Sequence, residues 1–296
     1  MSSKILFQRA ASVVGSNDVF DLFLIDDDGS NLLRLTTSLA GKEFDSFDAA
    51  FSPTGESIVF ATMRHREDAG NENTSEIYRI KKDWGVLTRL TSDGFYDSSP
   101  SWSNDGQSIL FTGERPDERL FTMSAVDGSS ITALPIASGG NGDRSASYSP
   151  DGSRIAFIRD FGGGIRSVFV ADADGSNEQN LTTIPSLCTS PRWSPDGLRI
   201  SYASDHHNPI TNQLDIYVMD AADSNGDGEG DNRTRLTMDS SSTVSSQSPV
   251  FSPDGSQIAY VNNSGGKSDI HLMNADGSNP AVFQSYGEDC FLCDWK

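Results

Sequence analysis

One phrase recurs five times in this 296-residue chain: FSPTGESIVFAT from Phe51, WSNDGQSILFTG from Trp102, YSPDGSRIAFIR from Tyr148, WSPDGLRISYAS from Trp193 and FSPDGSQIAYVN from Phe251. The leading aromatics stand 51, 46, 45 and 58 residues apart. Such a period means copies of one supersecondary unit, each too small to bury its own apolar faces. Within a unit, Ser-Pro-Asp-Gly reads as a tight turn: Pro sets φ, Asp bonds the backbone and Gly accepts positive φ. The residues before the aromatic make a first strand, and runs such as IAFI or ILFT make a second. EIYRI, RLFTM, SVFVAD, DIYVMD and DIHLMN supply a third. Turns such as DADGSN (172–177) and NADGSN (274–279) then lead to short tails, TRLT (88–91), QNLT (179–182) and TRLT (234–237), as a fourth.

Four-stranded sheets of this size bury both faces when stacked radially about an axis. The termini complete the set. KILFQRA (4–10) reads as a second strand without its turn, and DLFLIDDDGSNLLRLT (21–36) as the third strand, turn and fourth strand. DCFLCDW ends at Trp295, 44 residues after Phe251, which is one repeat further on. The expected architecture is all-β: one six-bladed β-propeller over 1–296 with four-stranded antiparallel blades. Blade 1 is formed by 4–41 plus 288–296, so the C-terminal strand closes the ring on the N-terminal strands. A length near 300 suggests two domains, but any split would cut the repeat.

Composition narrows the partners. Lys and Arg total 22 against 42 Asp and Glu, a net charge of −20. A surface this acidic repels phosphate backbones, so nucleic acid is not an expected partner. No apolar run approaches the length of a membrane span, so no insertion is expected. The start, MSSKILFQRA, shows no signal-peptide pattern. Much of the Asp lies in Asp-Gly turns, where its short side chain bonds the backbone.

The pattern W-S-P-D-G…I-A-F…I-Y-V-M-D-A-D-G-S-N…R-L-T, closely matched by 193–220 and 251–279, resembles the TolB-type β-propeller repeat over nearly the whole chain. The resemblance implies a propeller domain of periplasmic, secreted or cell-surface location. The same repeat occurs in a periplasmic component of the Tol–Pal envelope system, in propeller domains of some serine peptidases, in certain polysaccharide lyases and in surface proteins. TolB itself carries an additional N-terminal α/β domain, which these residues do not include.

Several positions are candidates for function. The repeated aromatics (Phe51, Trp102, Tyr148, Trp193, Phe251, Trp295) recur in one register and are expected in the core between blades. Asp45, Asp97, Asp143, Glu288 and Asp289 precede them and are expected at the channel mouth, where carboxylates attract cations or a cationic partner segment. Blades 5 and 6 offer Cys188, Thr189, Ser246 and Gln247 there, so such a ring is incomplete. The insertion DSNGDGEGDN (223–232) places Asp223, Asn225 and Asp227 at alternate positions, then Gly228, with Asp231 at the ninth place. That is the front half of a Ca²⁺ loop. Thr234 stands at the twelfth place instead of Glu. An acidic flexible loop is the other reading.

His65, His206 and His207 fall in loops after second strands, and His271 in a third strand. The resemblance to the lyases implies a possible His base, but loops three or four blades apart do not converge readily. No Gly-x-Ser-x-Gly elbow is present, which argues against a serine peptidase within these residues. Cys290 and Cys293 lie in the closing strand, where residues three apart face opposite sides; two thiols are expected, a disulfide being the alternative. Asn-x-Ser/Thr sequons open at Asn73, Asn180, Asn232 and Asn262. The expected function is non-catalytic binding of a protein, peptide or glycan by loops on rigid sheets. The alternatives are a structural, self-associating subunit of a surface assembly or filament, using loose segments such as 11–20 or 221–233, and a polysaccharide lyase or hydrolase.

Overall fold

The computed structural model describes residues 3–11, 19–36, 45–64, 74–81, 87–115, 118–136, 139–207, 213–238, 244–264 and 267–296. Every named element is a strand. The chain forms two compact units, Met1–Leu134 with Cys293–Lys296, and Pro135–Leu292.

The first unit carries three four-stranded sheets. Blade 1 contains β1 (Lys4–Ala11), β2 (Val19–Asp26) and β3 (Leu33–Arg34); blade 2 contains β4 (Ser46–Phe51), β5 (Ser57–Thr62), β6 (Glu76–Lys81) and β7 (Leu87–Arg89). Blade 3 contains β8 (Asp97–Trp102), β9 (Ser108–Glu114), β10 (Glu118–Ser124) and β11 (Thr132–Ala133).

The second unit repeats the plan. Blade 4 is β12 (Gly142–Tyr148), β13 (Arg154–Gly162), β14 (Ile165–Asp172) and β15 (Gln179–Asn180); blade 5 is β16 (Cys188–Trp193), β17 (Arg199–Ser204), β18 (Asp215–Asp220) and β19 (Thr234–Arg235). Blade 6 is β20 (Val244–Phe251), β21 (Gln257–Ser264), β22 (Lys267–Asn274) and β23 (Ala281–Ser285).

The last strand, β24 (Cys290–Trp295), pairs with β1 to give the order β24-β1-β2-β3. Lys4 and Lys296 exchange backbone hydrogen bonds at 2.5 and 2.9 Å. This is the six-bladed β-propeller that the 44-residue spacing of Trp295 anticipates. Residues 37–41, assigned to blade 1 from the sequence, lie outside the described residues.

The turns form as their residues dictate. In Ser149–Ser153, Asp151 Oδ1 accepts from the Ser149 hydroxyl (2.6 Å) and the Ser153 N–H (3.0 Å), and Gly152 sits at φ 74°. The same bonds recur at Asp254, from Ser252 Oγ (2.6 Å) and Ser256 N–H (3.0 Å). Hydrogen bonds from the turn serines hold both carboxyls down at about 2.

Two periodic features emerge only in three dimensions. The second and third strands of every blade place a ring directly opposite a ring. The pairs are Phe7–Phe23, Phe60–Tyr78, Phe111–Phe121, Phe157–Phe169 and Tyr202–Tyr217, with centroids 5.5–6.1 Å apart, and Tyr260–His271 at 5.4 Å. Cross-strand pairs of this kind add to the stability of a sheet beyond the area they bury. His271 is therefore the sixth member of a structural set. The first strands of blades 2–6 each carry a β-bulge three residues before the aromatic. Asp48, Ser99, Ser145, Ser190 and Ser248 adopt φ of 50–54° there. Short polar side chains tolerate this left-handed conformation better than branched ones.

The repeated aromatics are buried or half-buried, as expected of a core register. The tryptophans also bond across blades: Trp102 Nε1–H donates to Ala50 O (3.3 Å) and Trp193 Nε1–H to Ser147 O (3.1 Å).

Candidate functional site

At the end of the blades away from the Ser-Pro-Asp-Gly turns, arginines lie over the ring pairs. In blade 3, Arg115 sits 5.2 Å from the Phe111 and Phe121 centroids. Its guanidinium bridges Asp97 (2.6 and 2.7 Å) and Asp93 (2.6 Å). Asp97 is fully buried, and burial raises its pKa to about 6 against the pull of Arg115. Glu76, Asp93 and Asp97 each bring an oxygen within 4.8 Å of the others, a spacing that a metal ion can use. Here they meet guanidinium groups, because Arg89 also binds Glu76 at 2.9 Å.

Blade 4 repeats the arrangement. Arg159 lies 4.5 Å over Phe169 and binds Asp143 (2.8 Å) and Glu178 (2.7 Å). Arg9 covers Phe23 at 4.4 Å in blade 1. In blade 5 the place is taken by His207, stacked on Tyr217 with Nδ1 2.5 Å from Oη. Burial pushes the Tyr217 hydroxyl up to about 12. His206 packs edge-on to His207, and burial, then Arg233, lowers its pKa. The arginines were not singled out from sequence. The Phe-x-Arg spacing of Phe7/Arg9 and Phe157/Arg159, which puts both side chains on one face of a strand, is the signal that reveals two of them.

The five carboxylates expected at the channel mouth thus have different settings. Asp97 and Asp143 are locked in ion pairs. Asp45 is half-buried and accepts from the Phe20 N–H at 3.0 Å. Asp289 is exposed and accepts from Ser268 Oγ at 3.3 Å. Glu288 beside it is half-buried.

The β13–β14 hairpin carries exposed Phe161 and Ile165, and the neighbouring 183–186 segment exposed Ile184. Arg166 N–H donates to Ser186 O at 2.8 Å, joining that segment to β14. Asp160 binds Arg166 (2.8 Å) and Arg144 (3.2 Å) below the hairpin. Burial tends to raise the Asp160 pKa, but Arg166 and the Gly162 N–H bring it below its ordinary value.

In the 223–231 loop, Asp223 accepts from the N–H groups of Gly226 (2.7 Å), Asp227 (3.2 Å) and Gly228 (2.8 Å). Asn225 Oδ1 accepts from Asp227 N–H (2.9 Å), Asp227 Oδ1 from Glu229 N–H (2.9 Å), and Asp231 Oδ2 from Ser224 N–H (3.0 Å). The loop is not a loose arm. Gly230 N–H donates to Leu181 O (2.9 Å), and Glu229 Oε1 accepts from the N–H groups of Thr183 (2.9 Å) and Ile184 (3.0 Å). These bonds clip the insertion to blade 4. Residues 12–18 of the other proposed arm and His65 lie outside the described residues. Cys188, Cys290 and Cys293 are buried thiols with no disulfide among them.

The family model described as the TolB beta propeller domain matches residues 37–167 and 145–291. The chain belongs to this family. An uncharacterized protein of Agrobacterium fabrum, Atu1656, is 30% identical over 180 residues, covering 56% of this chain and 57% of its own length. The Tol-Pal system protein TolB of Anaeromyxobacter dehalogenans is 34% identical over 143 residues, 47% of this chain and 31% of that protein. The crystal structure of TolB from Acinetobacter baumannii superposes with a TM-score of 0.74 at 21% identity, over 99% of this chain and 67% of that one. The chain thus matches between about a third and three fifths of the length of these curated relatives.

Proposed function

We propose that this TolB-like propeller is a non-catalytic, extracytoplasmic scaffold that binds a protein or peptide segment at the hairpin end of its blades. The observation that carries this reading is the state of the charges there. Asp143, Glu178 and Arg159, and Asp160 with Arg144 and Arg166, are held in fixed ion pairs. Groups held this way offer a rigid pattern of charge instead of a carboxylate poised for proton transfer. Beside them Phe161, Ile165 and Ile184 are 40, 38 and 41% exposed. Aromatic and arginine side chains together are the composition of interface hot spots. Kinship with a Tol-Pal system protein supports a protein partner and an extracytoplasmic location. A glycan is a second ligand class, since the exposed Phe161 ring offers a stacking face.

The 223–231 loop is proposed as a Ca²⁺ site. The reading rests on Asp223, Asn225 and Asp227 at alternate positions along the chain, with Asp231 at the ninth place, in the order of a hard-cation loop.

Selection of a displayed random-peptide library on immobilised protein, alongside a glycan array, tests the scaffold. Enriched peptides should lose at least tenfold in affinity for a Phe161→Ser/Ile165→Ser variant. Peptides that bind both proteins equally would place the surface elsewhere. Release of unsaturated ends from acidic polysaccharides would replace the reading with a lyase, and filaments in electron micrographs of the purified protein would replace it with a self-associating subunit.

A further inference from the structure

Between blades 4 and 5, and between blades 2 and 3, side chains cross the cleft beside the tight turn that opens the second strand. Between blades 4 and 5, Arg154 stacks 4.9 Å over Trp193 and donates to Ala221 O (2.7 Å) and Gly197 O (3.1 Å). Gln179, opposite Val170 on the outer strand, donates Nε2–H to Asp223 O at 3.2 Å from the other wall. Between blades 2 and 3 the corresponding carbonyl, Ala125 O, accepts from Arg79 at 2.6 Å.

The cleft between blades 5 and 6 has the same parts and stays open. Arg199 occupies the place of Arg154 and lies 5.6 Å over Phe251. Its guanidinium has no hydrogen-bond partner among the described residues. Thr234, opposite Val218, replaces Gln179 and is too short to cross. Ala275, in the place of Ala221, has a carbonyl that no side chain among the described residues reaches. The result is a cavity of about 270 Å³ lined by Arg199, Thr234 and Ala275 together with Val218, Leu236, Asp220 and Asp276.

The lining has three chemistries in one small space. An open guanidinium selects a carboxylate, which it binds through two parallel N–H bonds. Asp220 and Asp276 are ordered by Asn232 (2.7 Å) and Ser278 (2.9 Å) through one oxygen each, leaving the second oxygen of each for a cation or donor. The floor of Val218 and Leu236, which pack in one apolar cluster with Phe251, excludes strongly hydrated side chains. The volume lies just below the usual range for drug-sized ligands.

We propose that this cleft binds a zwitterion of one or two aliphatic residues: a free aliphatic amino acid or dipeptide. Its carboxylate lies on Arg199, its ammonium between Asp220, Asp276 and the Ala275 carbonyl, and its side chain on Val218 and Leu236. The site is at the opposite end of the strands from the β13–β14 hairpin and does not depend on the partner surface.

The test is methyl NMR of protein labelled at its valine and leucine methyl groups, titrated with leucine and leucyl-leucine. The Val218 and Leu236 methyl signals should shift saturably with at least one of them. N-acetyl-leucine and leucinamide, which each lack one charge, should bind at least tenfold more weakly. Arg199→Gln should weaken binding at least tenfold; Gln257 fills the equivalent place in blade 6, so the substitution suits the fold. Thr234→Gln, which copies Gln179, should close the cleft and abolish the shift. No saturable shift at about 10 mM, ten times the concentration for half-saturation of a 1 mM site, would overturn the proposal. So would unchanged binding in both variants, or equal binding of the blocked ligands.

Discussion

The indole N–H of Trp193 donates to the carbonyl oxygen of Ser147, 46 residues earlier and one blade away, at 3.1 Å. The bond makes one side chain both core filler and inter-blade strut. Trp193→Phe should keep most of the buried ring and lose the bond, costing about 1 kcal/mol. Trp193→Ala should cost about 3–5 kcal/mol through the cavity it opens. Denaturant unfolding of the two variants separates the contributions, and an unchanged stability of Trp193→Phe would mean that the bond adds nothing.

Asp97 gives stability a pH dependence of known sign. Its folded pKa of about 6 lies above the ordinary 3.8, so the native state holds the proton more tightly than the unfolded chain. The contribution is fully present below about pH 4 and is lost as pH rises through 6. Relative to Asp97→Asn, the wild type should therefore lose about 1–3 kcal/mol between pH 4 and 7. A difference between the two proteins that stays constant across that range would refute it. The turn carboxyls of Asp151 and Asp254, lowered to about 2, act in the opposite sense: their contribution is present above about pH 4 and is lost as pH falls through 2.

The proposed Ca²⁺ loop predicts heat when calcium is titrated into chelator-treated protein, and loss of that heat in Asp227→Ala. Absence of binding at about 1 mM calcium, the weak end of natural sites, would leave Asp223 and Asp227 as backbone caps alone.

Burial of the three thiols predicts slow labelling. Burial also pushes the Cys188 thiol further from ionisation. Ellman's reagent should react with all three only after denaturation, and a fast-reacting equivalent in the native protein would contradict their placement.

What the sequence determined by itself is the repeat and its closure. Ser-Pro-Asp-Gly is a local instruction: four adjacent residues set dihedrals and bonds among themselves, so each turn and the strands beside it were legible. Trp295 could be assigned to the first blade because spacing is preserved when a copy is split between the chain ends. The proposed cation loop at Asp223, Asn225 and Asp227 rests on the same kind of local signal, its register being contained within five residues.

Tertiary structure decided what those positions do. The Asp97–Arg115 and Asp143–Arg159 pairs join separate strands, and nothing local distinguishes a paired carboxylate from a solvated one. His271 looked like a lone polar residue until strand register set it opposite Tyr260, in the place a ring fills in the other blades. The 221–233 insertion read as a free arm because the Leu181 carbonyl and the Thr183 and Ile184 N–H groups that hold it belong to the preceding blade. Arg154 and Arg199 are indistinguishable in their repeats. Arg154 bonds two carbonyls across its cleft, and the two clefts also differ in the outer-strand residue, Gln179 in one case and Thr234 in the other. Side-chain partners are chosen by distance in space, and the pattern along the chain specifies only the frame that brings them near.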